Sequence, residues 1–229
     1  MIYITGDTHG YTDISKLNSK RFKQNKYLTK KDFVIILGDF GLVWDDGNDE
    51  NYWRKWINKK NFTTLFIDGN HENFNLLETF PEFEWKGGTV RKISNSIFQL
   101  MRGQIYNIDG YKVFTFGGAL SIDKDYRTEG KSWWEHETPN LKEYNSGLLN
   151  LEKNNWEVDY ILTHTAPFEM IYKLNPEDIS SYLKDDMCKY LSEIMPRINY
   201  RHWYFGHFHV DYKIDEKHTV VFNKILQIK

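Results

Sequence analysis

The sequence predicts an α/β fold built as a mixed sandwich, and three observations predict it. Apolar strands alternate with helical patterns over the first seventy residues. The middle of the chain turns β-rich. Strand after strand ends on Asp, Asn or His, usually beside glycine. Alternation of strand and helix implies a parallel sheet with helices on its faces.

The elements follow in order. IYIT (2–5) is a short buried strand that runs into Gly6-Asp7. Residues 13–25 have an amphipathic pattern and are read as a helix. FVIILGD (33–39) is a second buried strand. The stretch 49–60 reads as a helix, with Trp53, Trp56 and Ile57 on one face as core residues. TLFIDGN (64–70) is a third strand. Residues 92–119 hold several β pieces, with Asp109-Gly110 as a hairpin turn. For 138–155 the start chemistry is Thr138 as N-cap and Pro139 at the first helical position, with Gly147 weakening the interior. DYILTHTA (159–166) is a strand. The strongest helix pattern is 175–196, capped by Asn175-Pro176 and closed by Pro196. HWYFGHF (202–208) is a strand, and the tail 213–226 reads as a hairpin. The whole, 1–229, is expected to form one domain.

Bulk composition narrows the function. The chain is 40% hydrophobic, so it can bury a core, and 27% charged. A net charge of −2 advertises no global field for duplex DNA. The single cysteine, Cys188, excludes an intrachain disulfide and is read, with Met187, as packing. No apolar run reaches membrane-spanning length, and Ile2 to Ile4 is too short for a secretion-signal core. A cytoplasmic location is the expectation.

The chemistry lies in five strand ends: ITGDTHG, ILGDFG, FIDGNHE, ILTHTA and YFGHFH. Ligands of open α/β sheets bind at the carboxyl ends of strands. Asp7, His9, Asp39, Asn70, His71, His164, His207 and His209 are therefore expected to converge, although up to about two hundred residues separate them. Five of the eight histidines belong to this set; His202 and His218 are read as surface or packing residues. Imidazole, carboxylate and amide oxygen together suit Mn, Fe or Zn better than Ca or Mg. So many ligands exceed one ion and suit two, bridged by a carboxylate.

GDTHG, GDFG, GNHE, THTAP and GHFH, in this order, resemble the signature blocks of the calcineurin-like metallophosphoesterase superfamily. The resemblance spans residues 6–209. It implies a four-layer αββα sandwich with the metal site at strand C-terminal ends. By the same resemblance Asp7, His9 and His209 hold one metal, Asn70, His164 and His207 the other, and Asp39 bridges them. His71 matches the family's catalytic histidine, which is not a ligand. The implied cofactors are two divalent ions, Mn²⁺ first, with Fe or Zn as alternatives. The implied reaction is phosphoester hydrolysis by a metal-bridging hydroxide, with His71 protonating the leaving oxygen.

Departures from the family pattern matter. Protein serine/threonine phosphatases continue their second block with Val-Asp-Arg-Gly, whereas this chain reads GDFGLVWDD. The arginine that grips phosphate there is missing, as is the acid that orients the histidine. Asp45, Asp46, Asp68 and Glu72 are the available substitutes. Residues 117–139 are read as a substrate-rim insertion, with Arg127, Lys131, Trp133 and Trp134 as substrate-binding candidates. Arg102 is a further phosphate-clamp candidate. The simplest expectation is a phosphomonoesterase acting on a phosphorylated small molecule, nucleotide or phosphopeptide. The alternatives are a phosphodiesterase or nuclease for cyclic nucleotides or short single strands, and a non-catalytic metal-stabilised scaffold.

Overall fold

A computed structural model describes residues 1–177 and 179–228. In chain order its first strands are β1 (Ile2–Thr5), β2 (Phe33–Leu37), β3 (Thr63–Ile67), β4 (Glu82–Trp85), β5 (Gly88–Ser94) and β6 (Ile97–Leu100). The later strands are β7 (Gln104–Ile108), β8 (Tyr111–Phe116), β9 (Tyr160–Thr163), β10 (His202–Phe205), β11 (Tyr212–Lys213), β12 (His218–Val220) and β13 (Leu226–Ile228). The helices are α1 (Asn48–Asn58), α2 (Phe74–Leu77), α3 (Leu141–Lys153), α4 (Phe168–Leu174), α5 (Ile179–Tyr182) and α6 (Asp186–Ile194).

The strands form a seven-stranded sheet, β13-β1-β2-β3-β6-β5-β4, and a six-stranded sheet, β11-β12-β10-β9-β8-β7. In the first, β1, β2, β3 and β6 run parallel; in the second, β12, β10, β9 and β8 do. Antiparallel strands close each edge. Buried strands are apolar on both faces, so alternate residues feed different layers. Ile2, Ile4, Ile35, Leu37 and Leu65 pack between the sheets against Tyr106, Val113, Tyr160 and Leu162. Their sequence neighbours Tyr3, Val34, Ile36 and Phe66 face outward onto Ile57 of α1 and Ile14. On the far side Phe116, Ile161, Trp203 and Phe205 pack on Leu151, Met170 and Leu191 of α3, α4 and α6. The result is the expected four-layer αββα sandwich.

Register places the functional loops together. Thr163 of β9 stands level with Phe116 of β8 and Phe205 of β10, so Gly117, His164 and Gly206 leave their sheet at one rim. In the other sheet Leu37 pairs with Ile67, and Ile36 with Thr5. The Asp109-Gly110 turn joins β7 to β8 with both residues at positive φ, 53° and 88°, as predicted.

Four elements differ from expectation. Residues 13–25 form two 3₁₀ turns, Ile14–Leu17 and Lys23–Tyr27, because Asn18 turns extended and its side chain caps Lys20 and Arg21 N–H groups. The third helix is capped two residues after the predicted Thr138 cap. Asn140 caps it in a reciprocal capping box with Glu143. The pattern at 175–196 is broken: Asn175 ends α4, and α6 begins anew from Asp185, whose carboxylate accepts the Met187 N–H. Asp178, inside that predicted helix, lies outside the described residues. The tail splits between sheets. Tyr212–Lys213 pairs with β12 as a hairpin, while Leu226–Ile228 crosses to pair with β1. Among the described residues no helix is long and apolar enough to cross a membrane.

Candidate metal centre

Each of the five strand ends delivers its polar residue to one place. Asp7, His9, Asp39 and His209 offer ligand atoms that all lie within 4.8 Å of one another. His9 Nε2 is 3.5 Å from Asp39 Oδ2, and His164 Nε2 is 3.5 Å from Asp39 Oδ1. Asp39 thus stands between two groups of ligands. On the His164 side, Asn70 Oδ1 lies 3.1 Å from His164 Nε2, and the His164 and His207 rings are 4.9 Å apart. The structure brings together all seven ligand candidates read from the sequence.

Local backbone makes this convergence possible. His9, Asp39, His207 and His209 have φ of 40°, 46°, 68° and 51°, in the left-handed region that side chains avoid. Such strain persists only where the surroundings over-determine it. Two neighbouring glycines clear the space. A Cβ on Gly38, itself at φ 99°, would sit 2.0 Å from His164 Nδ1. One on Gly69 would sit 2.0 Å from Asp39 Oδ1.

An outer ring of partners aims the ligands. His164 Nδ1 donates to the Leu37 carbonyl at 2.7 Å, which leaves Nε2 as the lone-pair atom facing Asp39. His9 Nδ1 is 3.0 Å from Asp13 Oδ2. Asn70 Nδ2 donates to Ser121 Oγ, and Ser121 in turn donates twice to the fully buried Glu137. That chain turns the Asn70 oxygen toward the histidines. Buried Lys16 donates to the carbonyls of Gly6, Asp7 and Phe222, and Phe222 stacks on His209 at 4.8 Å. Sequence reasoning missed Ser121, Glu137 and Lys16, which carry no local pattern.

The electrostatics fit a cation. Asp7 Oδ2 is buried and accepts no hydrogen bond from the described residues, yet lies 3.1 Å from His209 Nε2. A buried carboxylate oxygen facing an imidazole nitrogen at this distance is an arrangement that a divalent ion can bridge. Burial alone would raise the Asp39 carboxyl pKa. His164 and His9 outweigh it and hold Asp39 well below the usual carboxylate range. Burial likewise lowers His207 to about 3, so it stays a neutral donor. Burial would also lower His9, but Asp39 draws a proton onto it and raises it to about 9. The proton marks the negative potential a metal would feel.

The calcineurin-like phosphoesterase family model matches residues 1–211. The chain belongs to this family. It is also similar to the lariat debranching enzyme of Schizosaccharomyces pombe, 23% identical over 80% of this chain and 44% of the relative. The lariat debranching enzyme A of Xenopus laevis is 21% identical over 95% of this chain and 44% of the relative. The chain therefore spans under half the length of these curated relatives.

The remaining candidates of this family member divide. The backbone N–H of His71 donates to Asp39 Oδ1 at 2.8 Å, which sets the residue at the edge of the ligand cluster. None of the four acids read as substitutes contacts its ring among the described residues. Glu72 accepts from Phe40 N, Asp68 from Arg102, Asp46 from Asn51, and Asp45 from Gly47 N. Arg127 comes instead: its Nη1 is 2.9 Å from His71 Nδ1, and its Nε donates to Asp123. Burial lowers the His71 pKa; Asp39 opposes this and Arg127 adds to it.

Arg102 is not at a phosphate position. It is buried, with Nε on Asp68 at 2.8 Å, Nη1 on Glu143 at 3.2 Å and Nη2 on the His136 carbonyl at 2.7 Å. Trp134 is also buried and packs edge-on against Trp44 at 5.1 Å, a hydrophobic seam rather than a stacking platform. Trp133 lies under Lys124 Nζ at 4.6 Å, and Lys131 is exposed. His202 and His218 take structural partners, Thr219 and Tyr200. Burial raises the Cys188 thiol far above its usual range, which leaves it inert.

Proposed function

We propose that this chain hydrolyses phosphodiesters using two divalent cations, manganese first, and that nucleotides or short single-stranded nucleic acid are its substrates. The observation that carries the reading is the pair of ligand groups sharing Asp39. Asp7, His9 and His209 would hold one cation and Asn70, His164 and His207 the other. Bound cations supply charge neutralisation at the phosphoryl group and an acidified water. Water's oxygen then bonds to phosphorus, the ester P–O bond breaks, and water releases a proton to solvent. The chain's own contribution to that step is His71. It stands at the edge of the cluster, held by Asp39, and passes a proton to the departing oxygen.

Charge favours a diester over the phosphomonoester first expected. A terminal phosphate carries about −1.5 to −2 at neutral pH, whereas a diester carries one negative charge. Beyond the metals this site has few cations to match a dianion. Arg102 is locked on Asp68, and Arg127 is shared among His71, Asp123 and the Ser132 carbonyl. Similarity to two enzymes named for debranching, which severs joined pieces, supports the same reading. The test compares bis-p-nitrophenyl phosphate with p-nitrophenyl phosphate in the presence of Mn²⁺. The diester is expected to be the better substrate. Preference for the monoester would replace this reading with a phosphatase, and no metal-dependent turnover of either would leave the non-catalytic scaffold.

A further inference from the structure

A cavity of about 790 Å³ opens beside the ligand cluster, lined by His9 and His71. Tyr11, Trp44, Asp45 and Asp49 also line it. We propose that this cavity is the leaving-group subsite, and that it takes an uncharged nucleoside while rejecting one that carries a further phosphate. This rests on the diester reading above.

Three observations carry it. The first is position. The group that would protonate the departing oxygen lines the cavity, so whatever leaves toward His71 leaves into this space. The second is shape and surface. The volume is that of a small-molecule site. Trp44 is held by its edge-on contact with Trp134, and Tyr11 is 67% exposed. Rigid and accessible aromatic walls suit a base, which stacks irrespective of its identity. The third is charge. Asp45 and Asp49 are exposed, and neither is paired with a cation among the described residues. Their neighbours differ: Asp46 and Glu50 both take Arg54. Among the described residues no lysine or arginine lines the cavity.

Arg127, whose Nη1 touches the His71 ring, is not among the residues lining the cavity. A group entering the cavity therefore meets the carboxylates of Asp45 and Asp49, which no lysine or arginine offsets among the described residues. A phosphate attached to the leaving nucleoside would sit against Asp45 and Asp49, where like charges repel in a confined space. The loop leading into α1, with that helix's first turn, thus supplies recognition of an uncharged leaving group.

The test compares thymidylyl-thymidine with the same dinucleotide bearing one added terminal phosphate, placed in turn on each end, in the Mn²⁺-loaded full chain. The released products identify which nucleoside departs. The wild-type chain is expected to show kcat/KM at least tenfold lower when the phosphate is on the departing nucleoside. In D45N/D49N that ratio is expected to narrow at least fivefold. Both substrates are read on one preparation, so any loss of folded protein cancels in the ratio. A wild-type chain indifferent to the phosphate, or an unchanged ratio in the double variant, overturns the inference and leaves the diester reading standing. Turnover of bis-p-nitrophenyl phosphate without turnover of any dinucleotide overturns it as well. Failure of every diester, the nitrophenyl one included, refutes the underlying diester reading instead.

Discussion

Replacing Arg102 with methionine separates a structural role from a substrate-binding one. Its side chain is 5% exposed, and that of its partner Asp68 is 1% exposed, with Nη2 to Oδ2 at 2.6 Å. Removing one member of such a pair leaves a buried charge without compensation, which costs about 3–5 kcal/mol. Glu143 adds little to that figure because it is 31% exposed and still caps the third helix through the Asn140 N–H. For a chain of this length each kcal/mol moves Tm by about 2–4 °C, so R102M is expected to melt roughly 6–20 °C lower. The assay is thermal unfolding, with steady-state hydrolysis of bis-p-nitrophenyl phosphate on the fraction that stays folded. KM should move less than about twofold, since no interaction with bound substrate is removed. D68N added to R102M should recover part of the loss, because the orphaned carboxylate is gone. An unchanged Tm with a KM raised tenfold or more would refute the lock and restore Arg102 as a clamp.

Three other perturbations probe the site itself. D39N removes a carboxylate charge between the two ligand groups, and the expected outcome is loss of both bound manganese and activity; full metal content with near-normal turnover would contradict the bridging role. G38A places a Cβ 2.0 Å from His164 Nδ1 at φ 99°, so manganese affinity should fall at least tenfold by calorimetry, and an unchanged affinity would show that the loop can yield. R127Q frees His71 Nδ1, and kcat should drop about tenfold to a hundredfold with metal content retained, measured by turnover alongside metal analysis. Loss of metal in R127Q would instead place Arg127 among the supports of the ligand cluster.

The convergence of the ligand candidates was legible in the sequence because the pattern is local. Each motif pairs a buried strand with a polar residue at its end, and strand ends in a parallel sheet share a rim. Their supports were not legible. Ser121 and Glu137 reach Asn70 across 51 and 67 positions, and Lys16 reaches Phe222 across 206, with no periodicity to mark any of them. The helix misreadings share a cause. Asp185 and Asn140 are caps, and a cap inside an amphipathic pattern is invisible until its hydrogen bond is known. Asn140-Leu-Lys-Glu143 did carry a readable capping box, but Thr138-Pro139 offered a competing start two residues earlier. Arg102 misled for a different reason. An arginine before a turn is as suited to a buried carboxylate as to a phosphate, and only the burial of Asp68 decides between them.

Strain and charge in the metal centre point the same way. Backbone at positive φ for a residue other than glycine costs of order 1–3 kcal/mol, and His9, Asp39, His207 and His209 all adopt it. Asp7 and Asp39 are buried side by side as carboxylates, which adds repulsion to desolvation. Within the set His164 and His9 offset the charge of Asp39, and His164 and His209 that of Asp7. From outside, Lys16 on the carbonyls around Asp7, Leu37 on His164, and Ser121 and Glu137 behind Asn70 hold the strained loops. The two mixed sheets keep those supports in place, because their strand ends are fixed in register by the core between them. A cation entering the cluster would meet donor atoms already aimed, so its binding energy would relieve repulsion rather than organise loops. The fold thereby carries the cost of the site, with four of its positive-φ residues, His9, Asp39, His207 and His209, set just past strand ends.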